Sequence, residues 1–347
     1  MKILVLGGTQ FSGLHLVRAG VARGDDVTVV HRGQHDAGLP DGVRRIIGDR
    51  DPTKANTETP DALALLGGLI AAGERWDAVV DMCGYVPRVV GASCELLKDA
   101  TERYLFVSTV SVYPVSPDGV PDEDGPVVEL DDPETDEVNG ETYGGLKVLC
   151  EREVRRSFGD RSTVVRPGLI VGPGDMTDRF TYWPRRLAEG GRVLVPSDGS
   201  APTRWIDGRD LAAFMLRCVR EGIGGTMNVC GPRETVSLDT FFRCVIDAIG
   251  GAAGGEPAQL VGLDESVLAG ADVMPWRDLP MWTGIGGASM MRVRADRAFE
   301  AGLEVRSLGE TARDTLAWDR ERGSLDLKCG ISREREIELL SEHAGAT

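Results

Sequence analysis

The sequence predicts an α/β fold: a Rossmann-type, doubly wound parallel sheet with a smaller, mixed C-terminal lobe. Three observations predict it. A fully apolar run at 3–6 meets a glycine loop at 7–13, strand and helix patterns then alternate to about residue 165, and this regularity fades beyond 170. Alternating strands and helices imply a parallel sheet that helices cover on both faces.

The first βαβ unit lies within the first 30 residues. The run 3–6 is apolar throughout, as buried parallel strands are. A helical pattern follows to Arg23, where Gly24 ends it, and 27–30 is the second strand. The crossover between the two strands is expected to be right-handed.

The same alternation predicts the elements that follow. Further strands are expected at 43–47, 78–81, 104–107, 163–165 and 227–229. Helices are expected at 60–72, 90–99, 142–157, 210–220, 237–250 and 308–320. The helix at 237 begins with Ser237 as its N-cap. The segments 172–205 and 251–290 are rich in Gly and are expected to be irregular.

These patterns divide the chain into two parts and a tail. Residues 1–170 are expected to form the dinucleotide-binding domain, and 205–232 to return to it. The segments 171–204 and 233–325 are expected to form a substrate-binding lobe, with 326–347 as a charged tail.

The charge balance and the cysteine pattern exclude several functions. A net charge of −16 disfavours nucleic acid or an anionic membrane as a partner. Seven cysteines without a C-x-x-C motif indicate neither disulfides nor zinc, and the four histidines lack metal-ligand spacing. With no signal peptide and no apolar run of the ~20 residues that a membrane span needs, a soluble cytoplasmic protein is expected.

One charged segment stands out. Residues 118–141 contain many acidic side chains and no Lys or Arg, and they lead directly to Tyr143. The segment is interpreted either as a solvated loop or as a lid over an active site.

The glycine loop has the composition of a phosphate-binding turn. Glycines let a backbone turn sharply, and the N-terminus of the following helix offers free N–H groups to a pyrophosphate. A plain βα turn is the alternative. Gln10 stands where such loops usually carry their middle glycine. The residues predicted to contact the dinucleotide here are Gly7, Thr9, Gln10, Phe11, Ser12 and Gly13.

The residues after the second strand favour NADP. An acidic residue there would accept hydrogen bonds from the ribose of NAD. This chain has His31 and Arg32 instead, and a guanidinium pairs with a 2′-phosphate. The alternative is that Arg32 is a solvated strand-end residue. Asp49 is placed to accept from the adenine amino group. The cofactor site is also expected to include Arg50, Met82, Lys147 and Pro167.

The pair Tyr143 and Lys147 is the candidate for acid–base catalysis. Positions i and i+4 share a helix face. A phenol is a poor base at neutral pH, and a neighbouring ammonium together with the positive nicotinamide is expected to lower its pKa. Because Y-x-x-x-K also arises by chance, a structural role is the alternative.

Hydroxyl groups follow the fifth strand at 107–113. The active sites of open α/β sheets lie outside the carboxyl ends of the strands. Thr109 is the candidate that holds a substrate oxygen against Tyr143, with Ser108 and Ser111 beside it. Strand-end capping is the alternative for each of them.

Together these motifs resemble the extended short-chain dehydrogenase/reductase family, also called the NAD-dependent epimerase/dehydratase family. Further matching segments are 166–175 (RPGLIVGPGD), 205–211 (WIDGRDL) and 228–232 (NVCGP). The form G-G-T-x-F-x-G is similar to a reductase-like subgroup that includes chloroplast stem-loop-binding proteins. The resemblance implies that Thr109, Tyr143 and Lys147 form the catalytic triad. It also implies a homodimer formed through two helices, one of them the Tyr143 helix.

The chain departs from the family pattern at several positions. His31 replaces the ribose-binding Asp of sugar epimerases. Val110 and Ser111 replace the Asp-Glu pair of the 4,6-dehydratases, so water elimination by their route is not expected. Arg204 falls one position from the arginine that usually clamps a nucleotide-sugar diphosphate. Substrate contacts are predicted for Tyr85, Ser108, Ser111, Trp183, Arg204 and Arg292. A surface or packing role is the alternative for Tyr85, Trp183, Arg204 and Arg292.

The leading hypothesis is an NAD(P)-dependent enzyme that moves a hydride at a secondary alcohol or ketone carbon of a sugar-like or polyol substrate. One version is an epimerase that keeps its cofactor bound. The other is an NADPH-dependent net ketoreductase acting on a metabolite other than a nucleotide sugar. A catalytically silent RNA-binding or regulatory relative is the alternative of another class, against which the acidic charge and the retained triad argue.

Overall fold

The computed structural model describes residues 1–35, 38–250 and 256–343. Its centre is a parallel sheet of seven strands, which confirms the predicted fold class. From one edge to the other the strands are β10 (Gly225–Val229), β6 (Ser162–Pro167), β5 (Thr101–Val107), β4 (Trp76–Asp81), β1 (Lys2–Leu6), β2 (Asp26–His31) and β3 (Arg44–Ile47).

Helices cover both faces of this sheet. On one face lie α1 (Phe11–Ala22) and α6 (Gly208–Glu221), and on the other lie α2 (Ala62–Ala71), α3 (Pro87–Leu97) and α4 (Tyr143–Phe158). Strand β1 shows why its sequence is apolar throughout. Ile3 and Val5 pack against the first group of helices, while Leu4 and Leu6 face the second. A strand buried on both faces has no polar side.

The second half of the chain builds a lobe from short elements. Its strands are β7 (Ile170–Val171), β8 (Arg192–Pro196), β9 (Pro202–Asp207), β11 (Gly231–Ser237) and β12 (Gln259–Leu263). Its helices are α5 (Tyr182–Glu189), α7 (Leu238–Ile249), α8 (Glu265–Gly270), α9 (Asp296–Glu300), α10 (Leu308–Glu321) and α11 (Arg333–Glu342). One small sheet has the order β11-β9-β7, and β12 pairs with β8 in another.

The strands and helices predicted by alternation are present, but two expectations differ from the structure. The segments 172–205 and 251–290 were expected to be irregular, yet they contain α5, β8, β9, β12 and α8, while 251–255 lie outside the described residues. These elements are only 5 to 8 residues long. Elements this short show little periodicity and depend on tertiary packing.

The expected charged tail at 326–347 is the second difference. Helix α11 lies in this segment, and its Leu339 and Leu340 are buried in the lobe core. Its Glu336 accepts hydrogen bonds from the buried Arg186 (2.7 Å) and from the backbone N–H of Leu194 (2.8 Å). Residues 344–347 lie outside the described part.

Among the described helices, none combines the length and the apolar character that crossing a membrane requires.

Candidate active site

The turn between β1 and α1 is tight enough to require glycine. Gly7 and Gly8 have φ of +91° and +93°, in the region that favours glycine. A Cβ on Gly13 would lie 2.6 Å from the Cα of Gly8. Helix α1 begins with no side-chain cap on its N-terminal N–H groups. Bare amides beside a glycine turn form a cradle that fits a dinucleotide pyrophosphate.

A cavity of about 610 Å³ opens from this turn along the carboxyl ends of β1, β2, β3 and β4. The predicted cofactor or substrate residues that line it are Gly7, Thr9, Gln10, Ser12, Gly13, His31, Arg32, Asp49, Arg50, Met82 and Tyr85. Lys54, Cys83 and Asp136 line it as well, although the sequence did not single them out.

Three predicted cofactor residues are not among those that line the cavity. Phe11 turns its ring towards Gly174 and His15, with 6.3 Å between the Phe11 and His15 ring centres. The ring therefore packs α1 against the loop after β7. Pro167 is buried at the end of β6, paired with Val229. Lys147 is the third.

The end of the cavity beside β2 and β3 carries exposed cations. Arg32 is exposed, and Lys54 is largely exposed above Asp51. The buried His31 accepts a hydrogen bond from the backbone N–H of Gly33 through Nδ1 (3.1 Å). The carboxylate of Asp49 accepts from the backbone N–H of Asp51 (2.9 Å). None of these residues supplies a carboxylate directly after β2.

The Arg50 side chain points into the protein. Its Nη1 forms a buried ion pair with Asp81 (2.8 Å), which also accepts a hydrogen bond from the hydroxyl of Tyr104 (2.9 Å). Burial of both partners makes this pair expensive to break. The guanidinium therefore supports the floor of the cavity, while its buried Nε and Nη2 have no hydrogen-bond partner among the described residues.

The triad residues lie together at the carboxyl end of β5. Helix α4 begins at Tyr143, and the side chain of Thr109 lies close enough to the Tyr143 phenol to oppose the rise of its pKa. Thr109 also accepts from the backbone N–H of Ser111 (3.1 Å), which holds its side chain in place. The ring of Tyr85 lies 6.4 Å from that of Tyr143. Because Tyr85 lines the cavity, the phenol of Tyr143 stands next to the space where a dinucleotide fits.

The expectation that Lys147 lowers the pKa of Tyr143 is not what the structure shows. Burial raises the pKa of Tyr143, while the hydrogen bond with Thr109 and the charge of Arg179 oppose that rise. The ammonium of Lys147 instead donates to the carbonyl oxygens of Gly84 (2.7 Å) and Val107 (2.8 Å). Burial lowers the pKa of Lys147 to about 8.

Ser108 has a structural partner. Its hydroxyl donates to the buried carboxylate of Glu151 (2.6 Å), which is paired with Arg166 (2.7 Å). This network joins β5, α4 and β6 and engages the hydroxyl of Ser108, for which a substrate contact stays a prediction.

Two of the predicted substrate contacts in the lobe are also structural. Trp183 is fully buried, its Nε1 donates to the carbonyl of Pro280 (2.6 Å), and its ring packs 4.5 Å from that of Phe242. The buried Arg204 donates to three backbone carbonyls, those of Pro232, Arg233 and Val293. Arg204 therefore ties β9 to β11, and each of its three guanidinium nitrogens already donates to a backbone carbonyl.

Arg292 contacts the beginning of the acidic segment. Its Nη1 donates to the carbonyl of Pro117 (2.6 Å). The segment itself reaches the cavity, which Asp136 and Val138 line. Arg88 links the two: it pairs with Asp51 (2.8 Å) beside the cavity and with Asp136 (2.6 Å) on the acidic segment.

Sequence reasoning missed Arg88 and Arg179. Arg88 follows Pro87 at the start of α3, and Arg179 lies in the loop after β7. No local pattern marks either of them, because the partners of Arg88 are 37 and 48 residues away in the chain and Arg179 stacks on the distant Trp276.

A glycine cradle beside a hydroxyl, a phenol and a lysine defines a dinucleotide-dependent oxidoreductase site. The sequence model of the NAD dependent epimerase/dehydratase family matches residues 3–230, so the chain belongs to that family. It is an NAD(P)-dependent oxidoreductase of the extended short-chain dehydrogenase/reductase type.

Three known proteins illustrate the relationship. The chain is 27% identical over 322 residues to dTDP-4-dehydro-6-deoxy-D-allose reductase of Streptomyces bikiniensis, which covers 82% of this chain and 93% of that protein. Its fold is similar to that of the Bordetella bronchiseptica enzyme WbmH in complex with NAD+ (TM-score 0.64, 20% identity, 93% and 99% of the two chains). It is also similar to that of the human epimerase family protein SDR39U1 with NADPH (TM-score 0.57, 22% identity, 91% and 99%).

Proposed function

We propose that this enzyme is an NADP-dependent net ketoreductase that interconverts a ketone and a secondary alcohol on a sugar-like or polyol substrate. The observation that carries the proposal is the position of the half-buried Tyr143, whose ring lies 6.4 Å from that of Tyr85 on the wall of the dinucleotide cavity. The relative from Streptomyces bikiniensis, a reductase of a dehydro-deoxy sugar by name, supports the substrate class.

The protonation state of Tyr143 suits reduction. Burial raises the pKa of Tyr143, so the phenol holds its proton at neutral pH. In the reductive direction the phenol donates this proton to the substrate carbonyl oxygen, and Thr109 orients that oxygen. The bound dinucleotide supplies or accepts the hydride. Lys147, on the same helix face, lies beneath the site and holds the strand end at Val107.

Substitution of Tyr143 tests the catalytic assignment. Tyr143→Phe is expected to reduce kcat by about 10²–10⁴-fold while the Kd for the dinucleotide stays unchanged, because only the proton donor is removed. The neighbouring phenol offers a matched control, and Tyr85→Phe is expected to keep most of its turnover. Activity would be measured as NADPH oxidation with a panel of keto sugars. Full turnover by Tyr143→Phe would refute the assignment.

The preference for NADP rests on the exposed cations at the end of the cavity beside β2 and β3. Arg32 and Lys54 both line it, and a 2′-phosphate pairs with such groups. Arg32→Ala is expected to weaken NADP+ binding about tenfold and to leave NAD+ binding nearly unchanged. Equal loss for both dinucleotides in calorimetric titrations would remove the basis for this preference.

A net reductase and an epimerase differ in how they hold the cofactor. A reductase exchanges its dinucleotide at every turnover, whereas an epimerase retains it. Mass analysis of the dinucleotide released by denaturing freshly purified protein separates the two. The proposal expects little bound dinucleotide and tighter binding of added NADPH than of NADH; stoichiometric NAD would establish the epimerase instead.

The assembly is proposed to be a cytoplasmic homodimer. Sedimentation equilibrium tests its mass, which would be twice the 37.3 kDa of the chain. A protein that sediments as a monomer at micromolar concentration would contradict this part of the proposal.

A further inference from the structure

The turn between β4 and α3 leaves one aromatic ring exposed. Among the described residues, Tyr85 is the one Phe, Tyr or Trp side chain that is exposed (44%), and the other aromatic residues are buried or half-buried. Tyr85 also lines the dinucleotide cavity. Covering an aromatic ring is strongly favourable, so an exposed ring on the wall of a cavity indicates a contact surface for the ligand of that cavity.

The surroundings of Tyr85 hold its ring in place. A Cβ on Gly84 would lie 2.5 Å from the ring of Phe106, so the backbone just before Tyr85 packs directly on β5. The ammonium of Lys147 lies over the Tyr85 ring, 4.8 Å from its centre, and is itself fixed by its two carbonyl partners. Because Lys147 is buried, the exposed surface of the ring is not the part that this cation covers. The ring is therefore in position before any ligand binds.

The order of the strands places Tyr85 on the path of the dinucleotide. The glycine cradle follows β1, Thr109 and Tyr143 lie at the carboxyl end of β5, and β4 lies between these two strands in the sheet. A dinucleotide whose pyrophosphate lies in the cradle must cross the end of β4 for its reactive ring to reach Tyr143. Tyr85 lies in the turn after β4, and its ring centre is 6.4 Å from that of Tyr143. Tyr85 therefore lies at the nicotinamide end of the cavity.

The wall of the cavity differs between its two ends. Beside β2 and β3 it is lined by charged side chains, among them Arg32, Asp49 and Lys54. Burial raises the pKa of Tyr85 to about 12, so its phenol is uncharged at neutral pH. An uncharged wall with an aromatic face suits a flat heteroaromatic ring, whereas cations suit phosphate. The wall after β4 is of the first kind, with Met82, Cys83, Tyr85, Val86 and Val89.

We propose that the nicotinamide ring of the bound dinucleotide packs on the aromatic ring of Tyr85, which holds the reactive carbon beside the phenol of Tyr143. The contribution comes from the aromatic face of Tyr85, and its hydroxyl takes no part in proton transfer. The oxidised nicotinamide is cationic and the reduced one is neutral, and an aromatic face attracts both. The inference concerns the cofactor that the family uses, so it holds for a net reductase and for an epimerase alike.

Two pairs of ligands test the contact without the natural substrate. NADP+ and 2′-phospho-ADP-ribose differ in the nicotinamide ring, as do NAD+ and ADP-ribose. Each ligand would be titrated in a calorimeter into protein that charcoal treatment has freed of retained dinucleotide. The ratio of the two Kd values within a pair isolates the contribution of the nicotinamide ring.

The variants separate the aromatic face from the rest of the side chain. Tyr85→Leu removes the ring and keeps an apolar side chain, whereas Tyr85→Phe keeps the ring and removes the hydroxyl. The matched control is Leu65→Ala on α2, because Leu65 is also 44% exposed but is not among the residues that line the cavity.

The expected results refer to the pair that the wild type binds more tightly. Tyr85→Leu should weaken binding of the ligand with nicotinamide about five- to tenfold and leave binding of its ring-free counterpart unchanged, which also shows that the variant is folded. Tyr85→Phe and Leu65→Ala should keep both Kd values. Equal weakening of both ligands by Tyr85→Leu, or weakening of neither, would overturn the inference, and so would a wild type that binds no ligand of either pair.

The turnover of Tyr143→Phe tests the proposed reductase separately. Lost turnover in Tyr143→Phe, together with equal Kd ratios in the wild type and Tyr85→Leu, defeats the Tyr85 contact alone. A changed Kd ratio in Tyr85→Leu, together with full turnover by Tyr143→Phe, defeats the proposed proton donor alone.

Discussion

The two halves of the chain differ in how far local sequence patterns predict the roles of their residues. In the sheet half, the glycine loop and Tyr85 line one cavity at the carboxyl ends of parallel strands, and the ring of Tyr143 lies 6.4 Å from that of Tyr85. In the lobe, Trp183 and Arg204 were expected to contact substrate and are buried structural residues.

The comparison teaches which kind of information a local motif contains. Parallel strands place their carboxyl ends at one edge, so a residue's role follows from where its strand stops. The roles of residues in the lobe depend on partners that are distant in the chain. The side chain of Trp183 donates a hydrogen bond to the carbonyl of Pro280, and that of Arg204 donates one to the carbonyl of Val293. An aromatic or an arginine in a Gly-rich segment is therefore ambiguous until those partners are known.

The largest expected effect comes from the glycine turn. A Cβ at position 13 would lie 2.6 Å from the Cα of Gly8. The backbone of the turn would have to move apart to remove this clash. Gly13→Ala is expected to reduce dinucleotide affinity at least a hundredfold. Gly68→Ala, in helix α2 with open space around its Cβ, is the control and should be neutral or slightly stabilising. Unchanged affinity in Gly13→Ala would show that the pyrophosphate binds elsewhere.

In the lobe, Trp183→Ala distinguishes a core residue from a substrate contact. Loss of a fully buried indole is expected to lower the free energy of unfolding by about 3–5 kcal/mol in urea titrations. The half-buried Trp276 is the contrast, and Trp276→Ala should cost clearly less stability. If Trp183→Ala had a normal urea midpoint and a raised KM, Trp183 would be a substrate contact and not a core residue.

The buried ammonium of Lys147 makes stability depend on pH. Burial lowers its pKa from 10.5 to about 8, so the unfolded chain binds more protons between these values. The contribution of Lys147 to the free energy of unfolding therefore rises with pH across this window. Relative to Lys147→Met, the wild type should gain about 2–3 kcal/mol between pH 7 and pH 10. A difference that does not change with pH would mean that the ammonium is solvated.

The smallest expected effect concerns Arg88, whose ion pairs connect the acidic segment to the side of the cavity at Asp51. Arg88→Leu removes the pairs with Asp51 and Asp136 that join the acidic segment to the cofactor half. Dinucleotide dissociation in stopped-flow experiments should become several-fold faster, with kcat for the bound complex unchanged. Arg243→Leu, which removes a largely exposed pair on α7, is the control. Equal dissociation rates in both variants would show that the acidic segment does not retain the cofactor.

The sequence alone determined the fold class, the order of the main strands and helices, and the grouping of Thr109 with Tyr143. Apolar runs, glycine turns and i,i+4 spacing are local properties, and parallel pairing then brings strand ends together. The tertiary structure decided where each cation points. Lys147 donates to two backbone carbonyls, Arg50 pairs with the buried Asp81, and Arg204 donates to backbone carbonyls of the lobe. An arginine reaches partners across several ångströms, so whether it is paired or free depends on residues brought near by folding, some of them more than 100 positions away.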